Sequence, residues 1–148
     1  MRIVLCLVSL LAISCLYVSA QDQKPAAPAA EFKMPPEAAK VPNPVKPTAA
    51  SLAAGKKTYG YDCAMCHGKD GDGKGDLAPD MKVKLLDFTD PAALKDKTDG
   101  ELFYVIKNGK GEMTGEENRL KPDEMWNLVN YVRSFSKNSA AKPKPATP

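Results

Sequence analysis

Apolar residues recur at three- and four-residue steps in three stretches of the chain, while sustained alternation of apolar and polar positions is scarce. The first stretch predicts a helix over 49–61, with Thr48 as its cap and Leu52, Gly55 and Tyr59 on one face. Glycine weakens a helix, so Gly55 predicts a tight helix crossing that a side chain would block. In the second stretch, Thr98-Asp99-Gly100-Glu101 has the spacing of a capping box. It opens a helix through Lys107, with Leu102, Val105 and Ile106 inward and Gly109 near the stop. The third helix, over 122–136, carries a stripe of Met125, Leu128, Val129, Val132 and Phe135, with Trp126 and Tyr131 flanking it. Asp90-Pro91 predicts a further short helix, with Asp90 as cap and Pro91 at its first position. Three main helices and no sheet make an all-α domain over 48–137.

The rest of the chain has another character. Residues 1–20 read as a signal peptide: Arg2 gives a positive start, residues 3–18 are largely apolar, and Val18-Ser19-Ala20 offers a small-residue cleavage site. A retained membrane anchor is the alternative, as is lipid attachment at Cys15, although the apolar Leu16-Tyr17-Val18 makes the lipid site less attractive. Residues 21–47 hold seven prolines and many alanines, which predicts an extended linker or tether. Phe32-Lys33-Met34 interrupts it as a candidate docking segment. Residues 138–148 repeat the Lys/Pro/Ala style and predict a disordered tail.

The net charge of +3 changes little. Between residues 48 and 137 fourteen Lys and Arg stand against fifteen Asp and Glu, so the surplus of positive charge lies in the flanks. That near balance gives no support to a nucleic-acid-binding surface.

Chemistry concentrates in Cys63-Ala64-Met65-Cys66-His67. Two thiols two residues apart, followed at once by an imidazole, is the spacing of covalent haem c attachment. One helical turn brings both thiols to one side, where each can add across a haem vinyl group. His67, the only histidine of the chain, is then placed to offer a neutral nitrogen to the iron. A zinc site needs two more good ligands, and the other cysteines, Cys6 and Cys15, lie in the export segment. A thiol redox centre expects a βαβ setting that the pattern lacks. Gly68 to Asp76 holds four glycines and three aspartates and predicts a loop. It lacks the terminal bidentate glutamate of a calcium loop. The following Leu77-Ala78-Pro79-Asp80 can present a carbonyl, that of Pro79 among the choices, to the free N–H of His67.

With one histidine only, a second axial ligand must come from elsewhere. Methionine sulfur suits an electron carrier because it raises the reduction potential. Of six methionines, Met1 and Met34 fall outside the domain, Met65 lies within the attachment turn and Met125 within a core stripe. Met81 is near the loop expected on the histidine side. Met113 stands in Gly109-Lys110-Gly111-Glu112-Met113-Thr114-Gly115, a glycine-flanked loop between two helices, and is the favoured distal ligand.

These residues together resemble class I c-type cytochromes. The likeness covers about residues 50–135. It rests on Gly55 and Tyr59, on Cys63-Ala64-Met65-Cys66-His67-Gly68, on Ile106-Lys107-Asn108-Gly109 with Met113 after it, and on Trp126-Asn127-Leu128-Val129-Asn130-Tyr131-Val132-Arg133. The resemblance implies the cytochrome c fold around one covalent haem c, with the first and last helices crossing. It also implies His67 and Met113 as iron ligands and Pro79 as acceptor from His67. Thr114 stands where the family often has proline. The implied function is one-electron transfer in a periplasmic or membrane-associated chain, with transient redox-protein partners and no catalytic residues. Two other readings remain. One is a five-coordinate haem protein that binds small gases or peroxide. The other is a haem subunit of a larger oxidoreductase.

Overall fold

A computed structural model describes residues 32–81 and 84–141 of the chain. The expected signal peptide 1–20 with Cys15, the first part of the linker (21–31) and the end of the tail (142–148) lie outside the described residues. The helices are α1 (Ala49–Asp62), the single turn α2 (Ala64–His67), α3 (Asp99–Asn108) and α4 (Pro122–Ala141). Two short strands, β1 (Gly109–Lys110) and β2 (Met113–Thr114), lie between α3 and α4.

Helices α1 and α4 cross at Gly55. A Cβ at that position would collide with the Asn127 carbonyl oxygen and lie 2.7 Å from Tyr131 Cβ. The missing side chain therefore permits the close approach. Thr48 caps α1 by accepting from the Ser51 N–H at 3.2 Å. The buried face of α1 is Ser51, Gly55 and Tyr59. Leu52, expected on that face, is only half-buried and lines a surface cleft with Val45 and Asn130. The polar Ser51 takes the inner position because the buried Asn130 of α4 donates to its hydroxyl at 2.9 Å.

Tyr59, Leu94, Leu128, Val132 and Phe135 form the core cluster. Tyr59, Tyr131 and Phe135 meet edge to face, with centroids 4.8–5.4 Å apart. On the other flank of α4, Trp126 stacks on Phe103 of α3 at 4.0 Å. The stripe expected on the last helix, Met125, Leu128, Val129, Val132 and Phe135, is buried throughout.

Four features depart from the sequence reading. Residues 91–96 form successive turns instead of a helix. The Asp90 side chain does accept from the Ala92 N–H, as a cap would. However, Arg133 of α4 donates to the Leu94 carbonyl at 2.8 Å and to that of Lys97, while the Leu94 oxygen also closes a turn by accepting from the Lys97 N–H at 3.2 Å, so the segment winds as turns held to α4. A small antiparallel ribbon replaces the expected plain loop, pairing Gly109 with Thr114 and Lys110 with Met113. Gly111, with φ +60°, occupies the first central position of its turn, where a type II′ hairpin needs glycine. From Phe32 on, the linker is packed onto the helices. Ala38 is buried beside Gly100 of α3, and Asn43 donates to Asn130 of α4 at 2.9 Å. Finally, α4 runs on to Ala141, so the first residues of the expected tail are helical.

Candidate cofactor site

Cys63 ends α1 and opens α2. Its carbonyl accepts from the Cys66 N–H at 3.2 Å and from the His67 N–H at 2.9 Å, so Cys63, Cys66 and His67 share one turn. Both cysteines are free and half-buried. Burial, with Asp62 and Glu116 nearby, pushes the Cys63 thiol up to about 12 despite Arg119. A thiol held protonated is a poor redox nucleophile, which argues against a thiol exchange centre. Among the described residues no three His, Cys, Asp or Glu side chains converge in the manner of a metal-ion site.

Burial lowers the His67 pKa, so the ring is neutral at physiological pH and able to offer a nitrogen lone pair. Its Nδ1 is buried without a hydrogen-bond partner. The hydrogen bond expected from His67 to the Pro79 carbonyl is therefore not made by Nδ1 in this structure. The ring is oriented instead by stacking on Phe88, with centroids 5.0 Å apart and planes at 23°. Phe88 in turn stacks on Phe135 of the core.

The loop after α2 clamps the turn with backbone bonds. Gly73 N–H donates to the His67 carbonyl at 2.9 Å, Gly75 N–H to Cys66 at 3.1 Å and Leu77 N–H to Met65 at 2.9 Å. Gly75 is required, because a Cβ there would strike the Met65 carbonyl. The Tyr59 hydroxyl, buried, donates to the Gly68 carbonyl at 2.8 Å and fixes the end of the turn to α1. Desolvation raises the Tyr59 pKa, so the phenol stays a donor.

The donor set fits haem c. Two free thiols and a neutral imidazole share a turn, the imidazole has an orphaned buried nitrogen, and partly buried Phe88, Leu102 and Ile106 supply apolar surface at the core's edge. Met113 comes from a separate element. It is half-buried on β2, opposite Lys110. The hairpin returns to α3 through Glu116 N–H to the Ile106 carbonyl at 2.9 Å and Glu117 N–H to Lys107 at 3.1 Å. The other methionines behave variously: Met125 is buried in the core, Met65 is 55% exposed and Met81 is half-buried.

Sequence reasoning missed a charged cluster beside the cysteines. Arg119 pairs with Asp62, and its Nε lies 3.5 Å from the buried Glu116 carboxylate. No local pattern could announce it, since Asp62 and Arg119 are far apart in the chain.

Helical fold and thiol–thiol–imidazole turn define a candidate haem c domain, and comparison with known proteins supports that class. The cytochrome c family model matches residues 52–136. Cytochrome c6 of Chlorolobion braunii is 33% identical over 88 residues, which is 56% of this chain and 89% of that protein. Chloroplastic cytochrome c6 of Chlamydomonas reinhardtii is 30% identical over 64% of this chain, and the match spans 62% of its own length. The quinohemoprotein alcohol dehydrogenase ADH IIB of Pseudomonas putida matches at 31% identity over 82% of this chain but only 16% of that enzyme. Among solved structures, a chain of the Kuenenia stuttgartiensis reducing HAO-like protein complex Kustc0457/Kustc0458 superposes with a TM-score of 0.57 at 29% identity. That likeness covers 62% of this chain and 46% of the other. The chain belongs to the cytochrome c family: it is a class I c-type cytochrome, with the cytochrome c fold and covalently bound haem c as its cofactor.

Proposed function

We propose that this chain is a one-electron carrier, with haem c bound through thioethers to Cys63 and Cys66 and with His67 and Met113 as the axial iron ligands. The haem, when bound, supplies a reversible ferrous/ferric couple. The observation that carries the reading is His67: neutral and half-buried, with a buried, unpartnered Nδ1, on the same turn as two free cysteines.

The protein's own residues would bind, orient and insulate. Cys63 and Cys66 hold the cofactor at two points of a turn that Tyr59 and the 68–77 loop keep rigid. Packing of Phe88 on one face of His67 limits ring rotation. Met113 offers a soft, uncharged donor, which favours the ferrous state. No general acid, base or nucleophile is needed. Met65 and Leu77, both exposed and joined by a backbone hydrogen bond, give an apolar surface beside the attachment turn on which redox proteins can dock transiently.

Export through residues 1–20 would place the protein in the periplasm or an equivalent compartment, where haem c is attached. Among the described residues no helix is long and apolar enough to cross a membrane.

A second reading keeps the same chemistry inside a larger oxidoreductase. It draws on the match to a small part of a quinohemoprotein dehydrogenase and on the likeness to a chain of a multi-protein complex. Copurification after mild extraction separates it from a free carrier.

A redox titration with ferric and ferrous spectra tests the main reading. A six-coordinate spectrum in both states is expected, with a red-end methionine–iron charge-transfer band that disappears in Met113→Ala. An unchanged band in that variant rejects Met113. Rapid, tight carbon monoxide binding to the ferrous protein would favour the five-coordinate, ligand-binding alternative.

A further inference from the structure

Residues 32–47, expected to be a tether, lie against the domain, and their contacts are unevenly placed. At one end Asn43 donates to Asn130 at 2.9 Å and to Asp99 at 3.4 Å, while Asn130 donates to the Val45 carbonyl at 2.9 Å. In the middle, the Ala38 and Val41 carbonyls press against Gly100 so closely that a Cβ at Gly100 would collide with Ala38. At the other end the Phe32 ring meets Tyr104 edge-on at 6.1 Å, and Lys110 Nζ stands 5.3 Å from the Phe32 centroid. The segment thus runs alongside α3, from the first turn to the hairpin beyond its end.

Lys110 is the cross-strand partner of Met113. A hairpin with two residues per strand has little stability of its own and depends on what it packs against. On the far side it is tied to α3 through Glu116 and Glu117. On the β1 side the Phe32 ring, set edge-on against Tyr104 of α3, gives the Lys110 ammonium a cation–π contact from outside the hairpin.

We propose that residues 32–41 brace the methionine hairpin, with Phe32 a positioning residue for the Met113 thioether; the proposal rests on Met113 being the distal iron ligand. Without Phe32, β1 keeps its pairing with β2 and the bond from Gly109 N–H to the Val105 carbonyl but loses its outside contact at Lys110, and the Met113 sulfur yields more readily to an external ligand. The anchored far end, at Asn43 and Asn130, keeps the brace in register.

The test is an imidazole titration of the ferric holoprotein, together with amide exchange at Lys110 and Met113. Phe32→Ala should raise imidazole affinity about fivefold, the scale of a lost cation–π contact plus an aromatic pair. It should also speed exchange at both amides, and Phe32→Tyr should restore wild-type behaviour. Lys110→Gln, an exposed change, should give a smaller increase in the same direction and decides the matter alone if Phe32→Ala does not fold. Unchanged imidazole affinity and exchange in these variants, while Met113→Ala still abolishes the charge-transfer band, overturns the brace and leaves the ligand assignment standing. A band that survives Met113→Ala removes the ligand assignment and the proposal together.

Discussion

A methyl group added at Gly55 would meet the Asn127 carbonyl and crowd Tyr131 Cβ, both on the partner helix. Gly55→Ala should therefore destabilise the protein by about 2 kcal/mol. Gly60→Ala, in the same helix with nothing within 4 Å of the new atom, should be neutral or stabilising by about 0.5 kcal/mol. Urea midpoints of the two variants check the contrast. Burial lifts the Glu116 carboxyl above the ordinary carboxylate range, with Arg119 opposing and Asp62 adding to the rise. A raised acid pKa means that the folded state holds the proton more tightly than the unfolded one. Its favourable contribution is complete below the unfolded value of about 4.3 and is lost as pH rises through the folded value. Unfolding curves across mildly acidic pH should show that loss in the wild type and not in Glu116→Gln. Gly55 was legible because a glycine amid helix-forming residues needs a reason. Ser51 was not, since its partner Asn130 lies 79 residues away. Nor was the Phe88 stack on His67, which takes the orienting role expected of the Pro79 carbonyl; ring packing leaves no local signature.

The helices were readable where their ends carry their own chemistry. Thr98 and Glu101 form the reciprocal capping box that their spacing predicts, with Glu101 accepting from the Thr98 N–H at 2.7 Å. Thr98→Ala should cost about 1 kcal/mol, measured by thermal unfolding of the holoprotein. Segments shaped by distant partners were not readable. The 91–96 turns depend on Arg133, and residues 32–47 depend on Asn130 and Gly100, so their prolines and alanines read as linker. Asn130 donates to both Ser51 and Val45 and accepts from Asn43. Asn130→Ala leaves several of these groups unpaired and should cost about 3 kcal/mol. Faster amide exchange in residues 43–51 would accompany it.

At the scale of the molecule, a domain of this size has a small core, and Leu102, Ile106 and Phe88, packed against that core, are only partly buried. Haem tied to two cysteines and a histidine would complete that core. The chain made without haem should accordingly lack native helicity and a cooperative melting transition, as circular dichroism can establish. Haem attachment is also where the sequence spoke most plainly, because the reacting groups all lie within five consecutive residues, whereas the Met113 hairpin needed the fold to give it a place. The most direct test of the account is the intact mass of the mature protein from a host competent in haem c maturation, paired with acid–organic extraction. The expected mass is that of the chain plus one haem, with colour retained by the protein and released when Cys63 and Cys66 are both changed to alanine. A mass equal to the bare polypeptide, or haem that passes wholly into the organic phase, would contradict it.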